Sequence, residues 1–262
     1  MARSSLRNVM KLIDDATHTL SVEESFLNDL KRSIETTANK SSGKPSRTYK
    51  PSSMQCIRNM YFQVIGADPD NTGSSYTGIG ICNAGSDIHN RIQNAISEMK
   101  LNDLDCDYID VESYVKDNKL NYLSVREKIG NETKLHHNKL NMNFMTDGII
   151  KYKGKYYILE IKSETANKWY SRTGVDPKHY DQATAYSIAF QLDDVIFLYV
   201  NRDMLDMKAF MFHVKASMKE ALIGKITECD GYVQRLVCPP KPTDLPKSVC
   251  SYCGYQKLCK EK

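Results

Sequence analysis

The chain has 262 residues, 41% of them hydrophobic and 26% charged, a soluble globular balance with enough length to bury the core of one large domain. No apolar run approaches the roughly 20 residues that a bilayer-crossing helix needs. The stretch from Met1 to Leu12 has neither an uninterrupted apolar core nor a small-residue cleavage site, so neither a membrane protein nor a secreted one is expected. A net charge of +4 permits a polyanionic partner without requiring one. In a reducing cytoplasm, bacterial or that of a virus-infected host, the eight cysteines read as metal ligands and buried thiols rather than disulfides.

In chain order, Leu6, Val9, Met10 and Ile13, then Val22, Phe26, Leu27 and Leu30, are spaced as apolar stripes of one or two N-terminal helices. Residues 39–53, rich in Ser and Pro, read as a loop. A helix capped by Ser52 or Ser53 is predicted to carry Cys56, Met60, Tyr61 and Val64. The glycine-rich stretch 72–85 leads to another, capped by Ser86 or Asp87 and burying Ile88, Ile92, Ala95, Ile96 and Met99, with His89 as its polar exception. His136 and His137 fall in a polar, loop-like stretch and read as surface residues. Two extended runs follow, 143–152 and 155–163, joined by a hairpin-type turn at Lys153-Gly154. Pro177 opens a helix to about Phe190; 195–200 is a strand of the buried kind, 207–214 another, and 215–228 a last helix. Four prolines between Cys238 and Pro246 forbid regular structure there and make a strap. Helices alternate with strands, so the class is α/β, and no internal repeat is present.

Two features carry chemistry. Asp147 on one strand of the hairpin and Glu160-Ile161-Lys162 on the other bring two carboxylates and an amine together, because Glu160 and Lys162 share a face while Leu159 and Ile161 point to the layer behind. An acidic pair on adjacent strands suits Mg²⁺ or Mn²⁺, with Lys162 placed to position water or offset charge, a phosphodiesterase layout. The second feature is Cys250, Cys253 and Cys259, three thiolates that leave a tetrahedral metal or a cluster one ligand short. Cys56, Cys82, Cys106, Cys229 and Cys238 compete for the fourth place.

Asp147 with Glu160-x-Lys162 resembles the PD-(D/E)xK nuclease superfamily. His89 upstream, and Gln182 with Tyr186 as Q-x3-Y on the following helix, are similar to its RecB-like members. Cys56 in Gln-Cys-Ile-Arg-Asn-Met-Tyr-Phe, with Cys250, Cys253 and Cys259, resembles those with a split four-cysteine iron–sulfur site, as in AddB-type helicase-nucleases and CRISPR-associated exonucleases. Thr146 stands where the motif nominally has Pro.

This resemblance implies a restriction-endonuclease-like core, a central mixed sheet flanked by helices, with a helical N-terminal extension and a C-terminal cluster-binding strap. One nuclease domain would span 1–262: extension 1–55, core 56–237 and strap 238–262. It implies a metal-dependent DNA exonuclease in replication, recombination or repair, with His89, Asp147, Glu160 and the Ile161 carbonyl as metal ligands, Lys162 assisting the attacking water, and Gln182 and Tyr186 holding the strand or orienting Lys162. It also implies a [4Fe–4S] cluster on Cys56, Cys250, Cys253 and Cys259, against the alternative of a structural Zn²⁺. Lys168, Trp169, Tyr170 and Arg172, in the connection before the Gln182 helix, interleave cations with aromatic rings as a single strand requires. DNA, single-stranded or at strand ends, is the expected partner. No Walker-type motif is present, so strand opening would fall to a helicase or recombination partner. A rival reading is a DNA-binding recombination partner with a vestigial site.

Overall fold

A computed structural model describes residues 21–39, 45–70, 75–251 and 253–261. By contact they divide into two compact units, Met1–Ser42 with Gly73–Gly80, and Gly43–Thr72 with Ile81–Lys262. The predicted stripe Leu6, Val9, Met10 and Ile13 lies outside the described residues. In the first unit, α1 (Val22–Asn39) starts at a reciprocal cap: the Glu24 amide donates to Ser21 Oγ at 3.2 Å, and the Ser21 amide to Glu24 Oε2 at 2.9 Å.

The second unit contains two sheets. The larger is mixed, with the strands β1 (Cys106–Ile109), β5 (Gly148–Tyr152), β6 (Lys155–Glu164), β7 (Asp194–Asn201) and β8 (Met207–His213) in that spatial order. The smaller is an antiparallel meander of β2 (Leu123–Ile129), β3 (Glu132–His137) and β4 (Met142–Thr146). Only β6 and β7 run parallel in the larger sheet. Parallel neighbours need a long crossover; after α4 (Val111–Asp117), which joins β1 to β2, this one contains α5 (Ala166–Ser171) and α6 (Tyr180–Phe190).

Both faces of the larger sheet are covered, which makes the class α/β with a central mixed sheet flanked by helices. One face packs Ile149, Ile158, Val195, Phe197 and Tyr199 against α6 and against Leu222 and Ile226 of α7 (Ala216–Arg235). The other packs Ile150, Leu159, Ile161 and Val200 against Ile88 and Ile92 of α3 (Tyr76–Ser97). The pleat sorts β6 as its sequence predicts: Leu159 and Ile161 face α3, and Glu160 lies on the α6 side with Ile158.

Several expectations are corrected. α3 begins ten residues before the predicted cap (Ser86 to Tyr76) and runs through Gly78, Gly80 and Gly85, started by Ser75 Oγ accepting from the Gly78 amide at 3.2 Å. Cys56 lies outside its helix: a 3₁₀ turn (Pro51–Ser53) precedes it, and Cys56 occupies the N-cap of α2 (Ile57–Ile65). The run 143–152 is two strands in different sheets, broken at Asp147. His136 and His137 lie in β3, not in a loop, and His137 is buried against the Tyr122 ring, where burial pushes its pKa down. The strap behaves as its prolines require, without helix or strand from Val237 to Pro246. Among the described residues no helix is long and apolar enough to cross a membrane.

Candidate functional site

Asp147 sits where the chain leaves the small sheet for the large one. Gly148 makes the passage possible: its φ of +149° disfavours any side chain, and a Cβ there would stand 2.5 Å from the Tyr108 hydroxyl oxygen. The turn is held by its own carbonyl, since Asp147 O accepts from the Tyr108 hydroxyl and from Gln93 Nε2 at 2.8 Å. The carboxylate is fixed too. Its Oδ2 accepts the Ile161 amide at 2.6 Å, and its Oδ1 lies 3.2 Å from His89 Nδ1.

His89 reaches Asp147 from α3, on the opposite face to α6, and a third side chain meets them. Glu132, the first residue of β3, places Oε1 3.8 Å from His89 Nδ1. His89, Glu132 and Asp147 each offer a ligand atom within 4.8 Å of the other two. Burial works against a charged imidazole, but hydrogen bonding to Asp147 and Glu132 outweighs it and lifts the His89 pKa to about 9.

Glu160 adds a second layer. Only 3% of it is exposed. Its Oε1 accepts from Lys162 Nζ and from Gln182 Nε2 at 2.8 Å. Its Oε2 is buried with no hydrogen-bond partner among the described residues. Burial drives the Glu160 carboxyl above the ordinary range, an effect Lys162 opposes and Asp147 reinforces. Lys162 is desolvated as well, yet Glu160 and Asp147 together raise its pKa and keep it an ammonium.

Gln182 and Tyr186, one turn apart on α6, complete the arrangement. Gln182 Oε1 accepts from Lys162 Nζ at 3.1 Å, and its Nε2 also lies 3.0 Å from the Tyr186 hydroxyl. That hydroxyl donates to Met145 O at 2.7 Å, tying α6 to β4 beside Asp147. Gln182 therefore holds both members of the Glu160–Lys162 pair. The structure brings together six predicted side chains, His89, Asp147, Glu160, Lys162, Gln182 and Tyr186, with the Ile161 backbone. Sequence reasoning missed Glu132. The available signal was Gly130-Asn131, a two-residue hairpin turn with Thr133, Leu135 and His137 alternating into the interior behind it.

The predicted substrate loop is corrected in part, because α5 occupies it. Trp169 is buried, and its indole N–H donates to Tyr199 O at 3.1 Å. Arg172 forms a bidentate pair with Glu164, both bonds 2.6 Å, and lies over the Tyr199 ring at 3.9 Å. These two are engaged by the fold. Tyr170 is exposed, and Lys168 lines a cavity shared with Lys162 and Gln182.

The four predicted cysteines also converge. Cys56, Cys250, Cys253 and Cys259 line one cavity of about 450 Å³. Burial raises the Cys56 and Cys253 thiols; Cys259 and Cys250 raise both further, and Cys56 adds to the rise at Cys253. Cys238 is not in that lining; its Sγ accepts from Arg58 Nη2 at 3.1 Å. Cys56 and Cys253 also form part of the wall of the cavity that holds Lys162.

No family model matches the chain, and no curated protein matches it. Among solved structures it is similar to that of SSO0001, at 15% identity over 89% of this chain and 96% of the other, with a TM-score of 0.41. It is also similar to LHK-Exo in complex with dAMP, at 10% identity over 73% of this chain and 92% of the other, with a TM-score of 0.42. Likeness of this degree leaves the chemistry to be read from the side chains themselves.

Proposed function

We propose that this chain is a divalent-metal-dependent deoxyribonuclease of the PD-(D/E)xK, RecB-like kind, an exonuclease acting in a reducing cytoplasm. The observation that carries the reading is the unpartnered Glu160 Oε2, buried beside the His89, Glu132 and Asp147 group. A buried carboxylate oxygen without a donor calls for a cation. Three carboxylates and one imidazole suit Mg²⁺ or Mn²⁺, and Mn²⁺ tolerates the nitrogen best. His89, Glu132, Asp147 and Glu160 would hold the ion with the Ile161 carbonyl. Bound there, it would supply Lewis-acid polarisation of the scissile phosphate.

The remaining roles belong to side chains. Lys162, kept charged by Glu160 and Asp147, orients the attacking water and offsets the charge that develops on the phosphoryl oxygens. Gln182 fixes the ammonium against Glu160, so Lys162 presents one geometry. Tyr186 anchors Gln182 to the β4 backbone. For the cysteines we infer a [4Fe–4S] cluster, with Zn²⁺ as the alternative: four thiolates on one cavity are the donor set both require.

The deciding test is digestion of end-labelled single- and double-stranded DNA with and without Mg²⁺ or Mn²⁺, using Lys162→Ala beside the wild type. Metal-dependent shortening from the ends by the wild type, and its loss in Lys162→Ala with DNA binding kept, is the expected result. Binding without cleavage in the wild type would leave the DNA-binding-partner reading instead, and full activity in Lys162→Ala would remove the mechanism.

A further inference from the structure

Beside the catalytic cluster lies a second cavity of about 320 Å³ that the chemistry above does not use. Lys162 and Gln182 are in its lining, so it adjoins the catalytic cluster. Lys168 from α5 and Lys178 from the 3₁₀ turn Pro177–His179 stand on its flank, and Ser53 and Gln55 on another. Three ammonium groups face one small space, and no carboxylate among the described residues lines it. Lys162 is already matched by Glu160, and Lys178 reaches Asp176 at 3.4 Å outside the lining. Lys168 has no ion-pair partner among the described residues.

The arrangement is held in place. Gln55 Nε2 donates to Lys178 O, fixing the turn that carries Lys178. Asp176 caps the same turn, its Oδ1 accepting the Lys178 amide at 3.2 Å. His179, also on the wall, registers the local field: burial, then Lys162 and Lys178, depress its pKa to about 3. Cys56 and Cys253 share the lining, but Lys168 is free of any ion pair among the described residues and Lys178 is held only loosely by Asp176. With amide and hydroxyl donors and a volume of about 320 Å³, room for roughly ten water molecules, they describe a receptor for an oxyanion the size of a phosphate group.

We propose that this cavity is a phosphate subsite, in which Lys168 and Lys178 hold the nucleic-acid phosphate next to the one being cut. It deepens the nuclease reading and rests on it. Two sources share the chemistry, a strand-terminal phosphomonoester and an internal diester. The subsite would set the distance between a held phosphate and the scissile bond.

Binding can be measured without cleavage. Fluorescence anisotropy of the full chain, without divalent metal, would compare the wild type with Lys168→Ala/Lys178→Ala and with a charge-matched control, Lys116→Ala/Lys139→Ala, on exposed positions elsewhere. The probes are short single strands with a 5′-phosphate, a 5′-hydroxyl or a 3′-phosphate, and a circular strand. The cavity pair should weaken binding at least about tenfold more than the control, and the salt dependence should fall by about 0.7 for each phosphate that is no longer neutralised. Weakening confined to one phosphorylated end identifies a terminal monoester; equal weakening on the circle identifies an internal diester. A cavity pair no weaker than the control overturns the proposal. Failure of the nuclease reading looks different: the cavity pair loses affinity, and the wild type still does not cut with Mg²⁺ or Mn²⁺.

Discussion

At the residue scale the site is a contest between burial and charge. Glu160 is withdrawn from water and Lys162 is half-buried beside it, and the buried carboxylate is tolerable because the ammonium is there. Glu132 is more exposed than Glu160, and its one ion pair among the described residues, with His89 at 3.8 Å, is looser, so it can be tested without unfolding the protein. Glu132→Gln should weaken Mn²⁺ binding by roughly tenfold to a hundredfold, at least the loss that outer-shell changes produce, as calorimetry would measure; unchanged affinity would take Glu132 out of the ligand set. His179 carries a pH signature. Burial and the neighbouring lysines hold its folded pKa near 3, below the unfolded value of about 6.5. Its contribution to stability is therefore complete above pH 6.5 and is lost as pH falls from there towards 3, by at most roughly 1.4 kcal/mol per pH unit. His179→Gln should flatten that acid limb of urea-denaturation midpoints, and an unchanged limb would show that the imidazole is not titrating there.

At the element scale the important object is the break between β4 and β5. Gly148→Ala should cost about 1–3 kcal/mol from its backbone alone, and it should reduce cleavage as well, because the displaced turn carries Asp147. Denaturant midpoints and initial rates on one preparation check both, and a variant with wild-type stability would refute the steric argument. The sequence carries a mark of this break, since Asp147-Gly148 is a turn-favouring pair, but not of its consequence: 143–146 and 148–152 each read as strand, and nothing local says that they join different sheets. By contrast, Asp147, Glu160 and Lys162 were legible because period-two alternation on a tight hairpin fixes which side chains share a face. Glu132 was hidden since β2 is exposed along its second half, which erases the alternation that would have announced the meander. Trp169 and Arg172 misled for another reason: aromatic and cationic residues serve a nucleic-acid strand and a buried Arg–Glu pair equally well, and only the partner, Glu164, separates the two.

At the scale of the whole molecule, the cysteine segment closes the second unit from its far end. Cys56→Ala should abolish visible absorbance or bound zinc and lower the thermal midpoint, whereas Cys238→Ala, whose thiol meets Arg58 instead, should spare both. Spectra and metal analysis after anaerobic purification decide, and the reverse pattern would reassign the fourth thiolate. Cys56 and Cys253 also wall the Lys162 cavity, so the four-cysteine cavity adjoins it, and Cys56→Ala is expected to weaken strand binding as well.

The ligand candidates come from four different pieces of the fold: Glu132 from the small sheet, Asp147 from the break, Glu160 from the large sheet and His89 from the helix beneath it. An ion gripped by all four is a rivet between two sheets. Its binding energy becomes cohesion between them, about 2.7 kcal/mol at a hundredfold excess over the dissociation constant. Amide exchange in the meander should slow when the ion binds, so the fold is expected to be tightest with the site filled.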